Sequence, residues 1–386
     1  MKKLIFGYGI TGKSVEKYFQ KNNIDYLVFD DNREIKVSVD KFFNKEKISE
    51  IDEVIISPGI KPSNPLLQDF NNLKIPVKTD IDLFNNHYSN KIIGVTGTNG
   101  KTTFVNLLAD FINSQGFSAI SLGNVGKSPL DVIGDEYDYL ILELSSFQLY
   151  YINNINLYLA VILNIQEDHL DWHINYEDYE ASKLKIKKFL LDKKYEAFIS
   201  NEKIVNIDSK YDLNKLPFFY NLSEMFFKTI KQLNFDLDSG YSYLINSKNQ
   251  EHRYEFLEKI DGVTYINDSK ATNFHAVSMA TTKVENGILI MHGLTKNISS
   301  EQLNISSNIK TILIPKDMKV DLNKFSGKII YLKNIFELEK ELIKIIIPGD
   351  TVLFSSGGAS FNDFTNYQER GNFFKKIVSN IKHSDE

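Results

Sequence analysis

The segment that most restricts this chain is Gly94-Val-Thr-Gly-Thr-Asn-Gly-Lys-Thr-Thr103. It grows out of an apolar run, Lys91–Thr96, and leads into a helical pattern from about Lys101 to Ser114. A strand, a glycine turn and a helix in that order make a βα unit, and such units assemble into parallel sheets covered by helices. Glycines let the backbone curl until its N–H groups converge on an anion. The positive end of the following helix strengthens the attraction. Gly97, Thr98, Asn99 and Gly100 would form the cradle, and Lys101 would reach the outer phosphates. Thr102 would hold Mg²⁺ through its hydroxyl, with Thr103 beside it. Five residues rather than four separate Gly94 from Gly100, so the tighter fit is Gly97-Thr-Asn-Gly-Lys-Thr102. Alone, the loop points to ATP or GTP and not to a reaction.

The same alternation of strand and helix recurs along the chain. Strands are expected at Lys3–Phe6, Tyr26–Asp30, Val54–Ser57, Tyr139–Leu144, Leu159–Leu163 and Val263–Asn267. A third block begins near Gly287, with strands at Ile288–Met291, Thr311–Ile314, Lys328–Leu332 and Thr351–Phe354. Helices are expected at Gly12–Gln20 and Tyr176–Leu191, while 203–260 is polar, aromatic and hard to read. At 386 residues the chain is long enough for two or three cores. The expected division is 1–88, 89–285 and 286–386, each an α/β body.

Composition removes several classes. A net charge of −5 supplies no general basic field for nucleic acid or an anionic membrane. With no cysteine there is no disulfide scaffold, thiolate metal site or thiol nucleophile. The apolar run after the N-terminal lysines is broken by glycine too early for a signal peptide. No stretch reaches the roughly 18 apolar residues of a membrane span.

Gly7-Tyr-Gly9-Ile-Thr-Gly12 follows a strand and opens a helix, and Asp30 ends the next strand. This spacing suits a dinucleotide, a nucleotide-linked substrate or a purely structural turn. A second phosphate loop downstream favours the nucleotide-linked substrate, because a dehydrogenase has no use for ATP. Glu143 ends an apolar strand at the edge where a parallel sheet presents its ligands, a fit place for a Mg²⁺ ligand. His169 follows the next strand and could meet a metal or phosphate, or be structural. Lys183 stands among several lysines and reads, on its own, as a solvated charge. Asn267-Asp-Ser-Lys270-Ala-Thr-Asn273 suits adenine, ribose or phosphate contacts, or a helix cap at Asp268 or Ser269.

Taken together, Thr96–Thr102, Glu143-Leu-Ser-Ser-Phe-Gln148, Asp168-His169, Tyr179-Glu-Ala-Ser-Lys183, His252-Arg253 and Asn267–Asn273 resemble the Mur ligases. Within that family the likeness is to the branch that adds D-glutamate. It rests on Gly7–Gly12, Ser57-Pro-Gly-Ile60 and the run Ser355–Phe364 continuing to Tyr367-Gln-Glu-Arg-Gly371. The Asp-Asn-Pro-Arg signature of the branch that adds a diamino acid is absent. The resemblance implies three domains: a Rossmann-like UDP-binding domain, a central P-loop ATPase-like domain and a C-terminal Rossmann-like domain. It implies ATP-dependent joining of D-glutamate to UDP-N-acetylmuramoyl-L-alanine through an acyl phosphate, by a cytoplasmic monomer in peptidoglycan precursor synthesis.

The family's residue roles fall on positions of this sequence. Lys101 and Thr102 would bind triphosphate and Mg²⁺; Glu143, His169 and a carbamylated Lys183 would complete two magnesium sites. Asn267, Lys270, Asn273 and Lys296 would contact nucleotide or phosphate. Gly9, Ile10, Thr11, Gly59 and Asn124 would hold the UDP-linked substrate, and Ser360 and Tyr367 would meet D-glutamate. Two departures stand out. The family's double glycine before the third-domain lysine is replaced by His292-Gly293-Leu-Thr-Lys296, and 205–250 lacks the usual His-Asn-x-x-Asn-x-x-Ala-Ala motif. A folylpolyglutamate synthase-like ligase shares the later domains but needs no nucleotide domain at 1–88. A dinucleotide-dependent oxidoreductase would use Gly7–Gly12 alone.

Overall fold

A computed structural model describes residues 2–32, 37–85, 87–88, 91–124, 127–192, 198–199, 211–213, 216–295 and 303–384. Lys296 lies outside the described residues.

The first sheet is built from β1 (Lys2–Phe6), α1 (Ile10–Lys21), β2 (Tyr26–Phe29), β3 (Ile51–Ile56), α2 (Pro65–Asn72) and β4 (Val77–Lys78). Its strands are all parallel, in the order β2-β1-β3-β4. Leu4, Phe6, Val54, Ile56 and Phe70 fill its core, as expected of strands covered on both faces. Its first three strands, in the order β2-β1-β3, correspond to one mononucleotide-binding half of a six-stranded dinucleotide fold.

A short helix, α3 (Asp80–Asn85), follows. Its Asp82 carboxylate accepts hydrogen bonds from the amides of Asn153 and Asn154, at 2.8 and 2.7 Å. Asn85 accepts from the amide of Asn156 at 2.8 Å.

The second sheet comprises β5 (Lys91–Thr96), α4 (Lys101–Ser114), β6 (Ala119–Gly123), β7 (Tyr139–Glu143), α5 (Ser146–Tyr151), β8 (Leu159–Ile162), α6 (Tyr176–Leu184) and β9 (Phe198–Ile199). The order is β6-β7-β5-β8-β9, all parallel. The helix expected over Tyr176–Leu191 stops at Leu184 and tightens into a 3₁₀ turn, Lys185–Phe189. The obscure aromatic region folds as α7 (Tyr220–Gln232) and α8 (Leu237–Asn246). Their Phe226, Phe227, Ile230 and Leu244 join Phe104, Leu108 and Phe111 of α4 in one core. Phe111 meets Phe226 edge to face at 5.2 Å.

The third sheet contains β10 (Glu255–Ile260), β11 (Val263–Asp268), α9 (Phe274–Thr281), β12 (Gly287–His292), β13 (Ile309–Pro315), β14 (Lys328–Leu332), α10 (Leu338–Ile343), β15 (Thr351–Gly357) and α11 (Tyr367–Ser384). Its order is β10-β11-β15-β12-β13-β14. Only the β10–β11 hairpin is antiparallel among these described pairs, turning at Asp261-Gly262. By contacts the chain divides into two compact units, Met1–Ile165 with Glu177–Ile245, and Gln166–Tyr176 with Asn246–Glu386. The break expected near 286 falls inside the second unit, because β11 pairs with β15 within the third sheet. No helix among the described residues is long and apolar enough to cross a membrane.

Candidate active site

In the first unit the sites gather at the C-terminal edge of the second sheet. β5 ends at Thr96, whose hydroxyl donates to the carbonyl of Leu144, tying the loop to the end of β7. Gly97 and Gly100 have φ of +156° and +85°; at Gly100 a left-handed residue starts α4, a place where a side chain would be strained. Asn164, at the end of β8, braces the loop from behind. Its carbonyl accepts from Thr98 N at 2.9 Å, and its side chain both accepts from and donates to the Asn99 backbone, at 2.9 and 3.0 Å. Tyr179 on α6 shares a 2.8 Å bond with the Thr98 hydroxyl.

Two lysines converge on this loop. Lys101 donates to the carbonyls of Gly97 and Thr98 at 2.7 and 3.0 Å. Lys183, only 2 % exposed, donates to the same Gly97 oxygen at 2.8 Å and lies 4.7 Å from the Tyr179 ring centre. Bonded to one oxygen at 2.7 and 2.8 Å, the two ammonium groups lie within about 5.5 Å of each other. The loop is therefore strongly cationic before any ligand arrives.

Glu143 is paired in register with Val95 and is 1 % exposed. One carboxylate oxygen accepts from Asn124 Nδ2 at 3.2 Å; the other is buried without a hydrogen-bond partner. A buried carboxylate oxygen left bare carries a large desolvation cost. A cation against it removes that cost, so the bare oxygen of Glu143 fits a hard cation such as Mg²⁺. Among the described residues there is no cluster of three or more His, Asp or Glu able to form a metal site alone.

At the edge of the first sheet, Gly12 lies so close to Gly7 that a Cβ would stand 2.2 Å from the Gly7 carbonyl. Gly9 and Gly59 are exposed with open space around them, Thr11 is partly exposed, and Ile10 is 84 % exposed. Asp30 is used by the protein itself, accepting from the amides of Tyr8 and Asn32 at 2.5 and 2.8 Å.

The second unit carries the other sites. His169, with φ +56°, is partly exposed at its ring; its amide donates to the Asp168 carboxylate. Asp168 is buried and accepts from Asn273 at 3.2 Å. The ammonium of Lys270 sits 3.9 Å over the Tyr367 ring centre. Ser360 is buried at the start of a turn whose Asp363 and Phe364 amides return to its carbonyl.

Comparisons with known proteins agree with this architecture. Residues 1–79 match a family model described as Mur ligase MurD-like, N-terminal domain, and 95–256 match one described as Mur ligase middle domain. A UDP-N-acetylmuramoylalanine–D-glutamate ligase of Francisella philomiragia is 32% identical, covering 99% of this chain and 97% of its own. A ligase of the same name from Thermotoga petrophila is 30% identical, with 96% of each chain covered. The chain belongs to the Mur ligase family. Among solved structures, a Thermotoga maritima MurF ligase in complex with ADP aligns at TM-score 0.59 and 14% identity, over 98% and 95% of the two chains. A pseudomurein peptide ligase type C from Methanothermus fervidus aligns at 0.59 and 16%, over 99% and 100%. At such identities these two bear on the fold alone.

Two expectations for this Mur ligase are corrected by its geometry. Asn267 is fully buried. Its amide donates to His252, Glu255 and the Gly371 carbonyl, and its oxygen accepts from Ser269 N. It braces the end of β11 and leaves no polar group for a nucleotide. The cap expected at Asp268 or Ser269 is Asn273, whose side chain accepts from Ala276 N, so α9 starts several residues later.

Asp268 is instead a buried carboxyl accepting from Tyr254 N at 3.0 Å and Ser355 Oγ at 2.9 Å. Burial pushes its pKa up to about 7. A folded pKa above the unfolded one means stability complete below the unfolded value of roughly 3.9 and lost as pH rises through about 7. Asp268→Asn keeps both partners, since its amide can donate to Ser355. We expect its melting temperature to exceed the parent's above pH 7 and to converge with it toward pH 5. Parallel melting curves from pH 5 to 9 would show that Asp268 does not titrate there.

Proposed function

We propose that this Mur ligase joins D-glutamate to UDP-N-acetylmuramoyl-L-alanine with hydrolysis of ATP to ADP and phosphate, as a cytoplasmic enzyme of peptidoglycan precursor synthesis. The observation that carries the reading is the glycine loop before α4, with Lys101 and Lys183 both reaching Gly97 O, in the same unit as a buried Glu143 that has one bare oxygen. The near full-length likeness to D-glutamate ligases supports the choice of substrates.

The substrate's L-alanine carboxylate must approach a triphosphate, and the two repel. Lys101 and the loop amides would hold the outer phosphates and take up that charge. Thr102 and Glu143 would hold Mg²⁺, which when bound draws charge from the phosphate oxygens. A carboxylate oxygen attacks the γ-phosphorus as the bond to ADP breaks. The free amine of D-glutamate then attacks the acyl carbon, phosphate leaves with the oxygen it received, and the nitrogen gives up one proton to solvent as the amide forms. Lys183 is read as carbamylated. The carbamate keeps one N–H for Gly97 O and turns a repelling cation beside Lys101 into an attracting anion.

The three sheets would serve as three domains. The first, with Gly9, Ile10, Thr11 and Gly59, would take the UDP end, and Asn124 the muramoyl part. The third, with Ser360 and Tyr367, would take D-glutamate; Lys270 and Asn273 would serve nucleotide or phosphate. His169, its ring partly exposed, would serve as a metal or phosphate ligand. The oxidoreductase alternative loses ground because the first sheet has four strands among the described residues and Asp30 is spent on Tyr8 and Asn32. The test is phosphate release with UDP-N-acetylmuramoyl-L-alanine, ATP and a panel of amino acids. Stimulation by D-glutamate is expected; stimulation by another amino acid instead would overturn the substrate assignment.

A further inference from the structure

The structure gives His292 a position that no surface role would need. It ends β12 and is completely buried. Its Nε2 lies 2.9 Å from Asp363 Oδ2, and its ring meets Phe364 edge to face at 5.5 Å. Asp363 and Phe364 are the residues whose amides close the turn on Ser360 O. Asn362 Nδ2 also donates to Asp363, at 2.8 Å. The strand end carrying His292 is zipped to the same loop, as Leu294 and Ala359 exchange two backbone bonds of 2.9 Å.

On its other side His292 meets a buried cation. Arg370 of α11 is 0 % exposed; its Nη1 donates to the carbonyls of His292 and Gly358, at 3.0 and 2.9 Å. Its Nε and Nη2 donate to the hydroxyl and carbonyl of Ser269, at 3.1 and 2.7 Å. Nη1 also lies 3.4 Å from His292 Nδ1. A guanidinium can only donate, so Nδ1 must be the acceptor and Nε2 carries the proton given to Asp363. Arginine, neutral imidazole and aspartate thus form one chain from α11 to the turn that starts at Ser360.

We propose that His292 is a positioning residue for the amino-acid substrate, holding the Ser360–Phe364 turn against Arg370 through a neutral imidazole. This rests on the reading above that Ser360 meets D-glutamate. The imidazole reaches that turn through Asp363 and does not touch substrate. Protonating it would put a second N–H against Arg370 and break the chain. The charged groups that act on it are Arg370 from α11, Asp363 from the turn and Asp317 after β13. Burial holds its pKa below the usual histidine value, against the raising effect of Asp363. The turn should therefore stay set at neutral pH and loosen only on the acid side of the ordinary histidine range.

Steady-state kinetics of the full-length enzyme, varying each substrate between pH 5.5 and 8.5, provide the test. In His292→Ala we expect KM for D-glutamate to rise by ~10-fold, the scale of one lost charge-assisted hydrogen bond. KM for ATP and kcat should stay within about twofold, since those contacts lie elsewhere. His292→Gln offers a donor and an acceptor but cannot titrate. It should bind D-glutamate nearly as the parent does at pH 8 and lack the parent's rise in KM on the acid side. Unchanged KM in folded His292→Ala, or an acid rise that persists in His292→Gln, would overturn the proposal. If the alanine variant does not fold, the glutamine pH profile decides alone. A parent enzyme with no D-glutamate-dependent phosphate release would instead bring down the functional reading, and this inference with it.

Discussion

Phosphate release from ATP should fall by at least ~10²–10³-fold in Lys101→Ala, the scale seen when one preorganised donor to a developing charge is removed. The ammonium spans the loop, bonded to Gly97 O and Thr98 O, and is the group nearest in role to the outer phosphates. The fold should survive, because the loop is also braced by Asn164 through three bonds and by Thr96 on Leu144. The melting temperature is therefore expected to change little while turnover disappears. Lys101→Arg should not restore activity, since a planar fork cannot place its charge where a compact ammonium sits. Near-normal turnover in the alanine variant would refute the phosphate-loop assignment.

Lys183→Ala should be almost as inactive, again by ~10²–10³-fold, but for a different reason and with a different signature. If the lysine acts as a carbamate, what is lost is an anion on a short tether. Acetate or another small carboxylate can enter the space left and supply the charge. Partial recovery is expected with acetate and none with a neutral amide of the same size. Lys183→Glu offers a carboxylate on a shorter stem and should retain more activity than alanine. Full activity of the alanine variant without any added acid would remove the carbamate from the account. A dead variant that acetate does not revive, but ammonium does, would show that the unmodified amine acts.

The strand-and-helix frame could be read from the sequence because parallel strands buried on both faces are nearly unbroken apolar runs, as at Ile288–Met291 and Leu159–Leu163. The phosphate loop was readable for the same reason, flanked by such a run and a helix. Other features depended on partners distant in the chain. Lys183 reads as one solvated lysine among many until α6 carries it onto Gly97. Arg370 lies in an exposed-looking polar run, and only the meeting of the ends of β11, β12 and β15 around it explains its burial. The helix α7 had a visible signal in Met225, Phe226, Ile230 and Leu233, spaced for one face, but the polar residues between hid it. Asp261-Gly262 is a short hairpin signal, and the β10–β11 pair that turns on it opens the third sheet. Asn267 looked like a ligand because polar runs at strand ends usually are; the buried His252 beside it turned that amide inward.

The helix α3 decides where this chain can be cut. Counted by sequence it belongs to the nucleotide-carrying end, and a fragment designed on that basis would begin at Lys91. Such a fragment would discard Ile81 and Phe84, both fully buried, together with the Asp82 and Asn85 side chains that fasten the Asn153–Asn156 segment ahead of β8. That segment feeds the strand whose end braces the triphosphate loop. A minimal ATP-binding fragment should start before Thr79, retaining α3 as its N-terminal clasp.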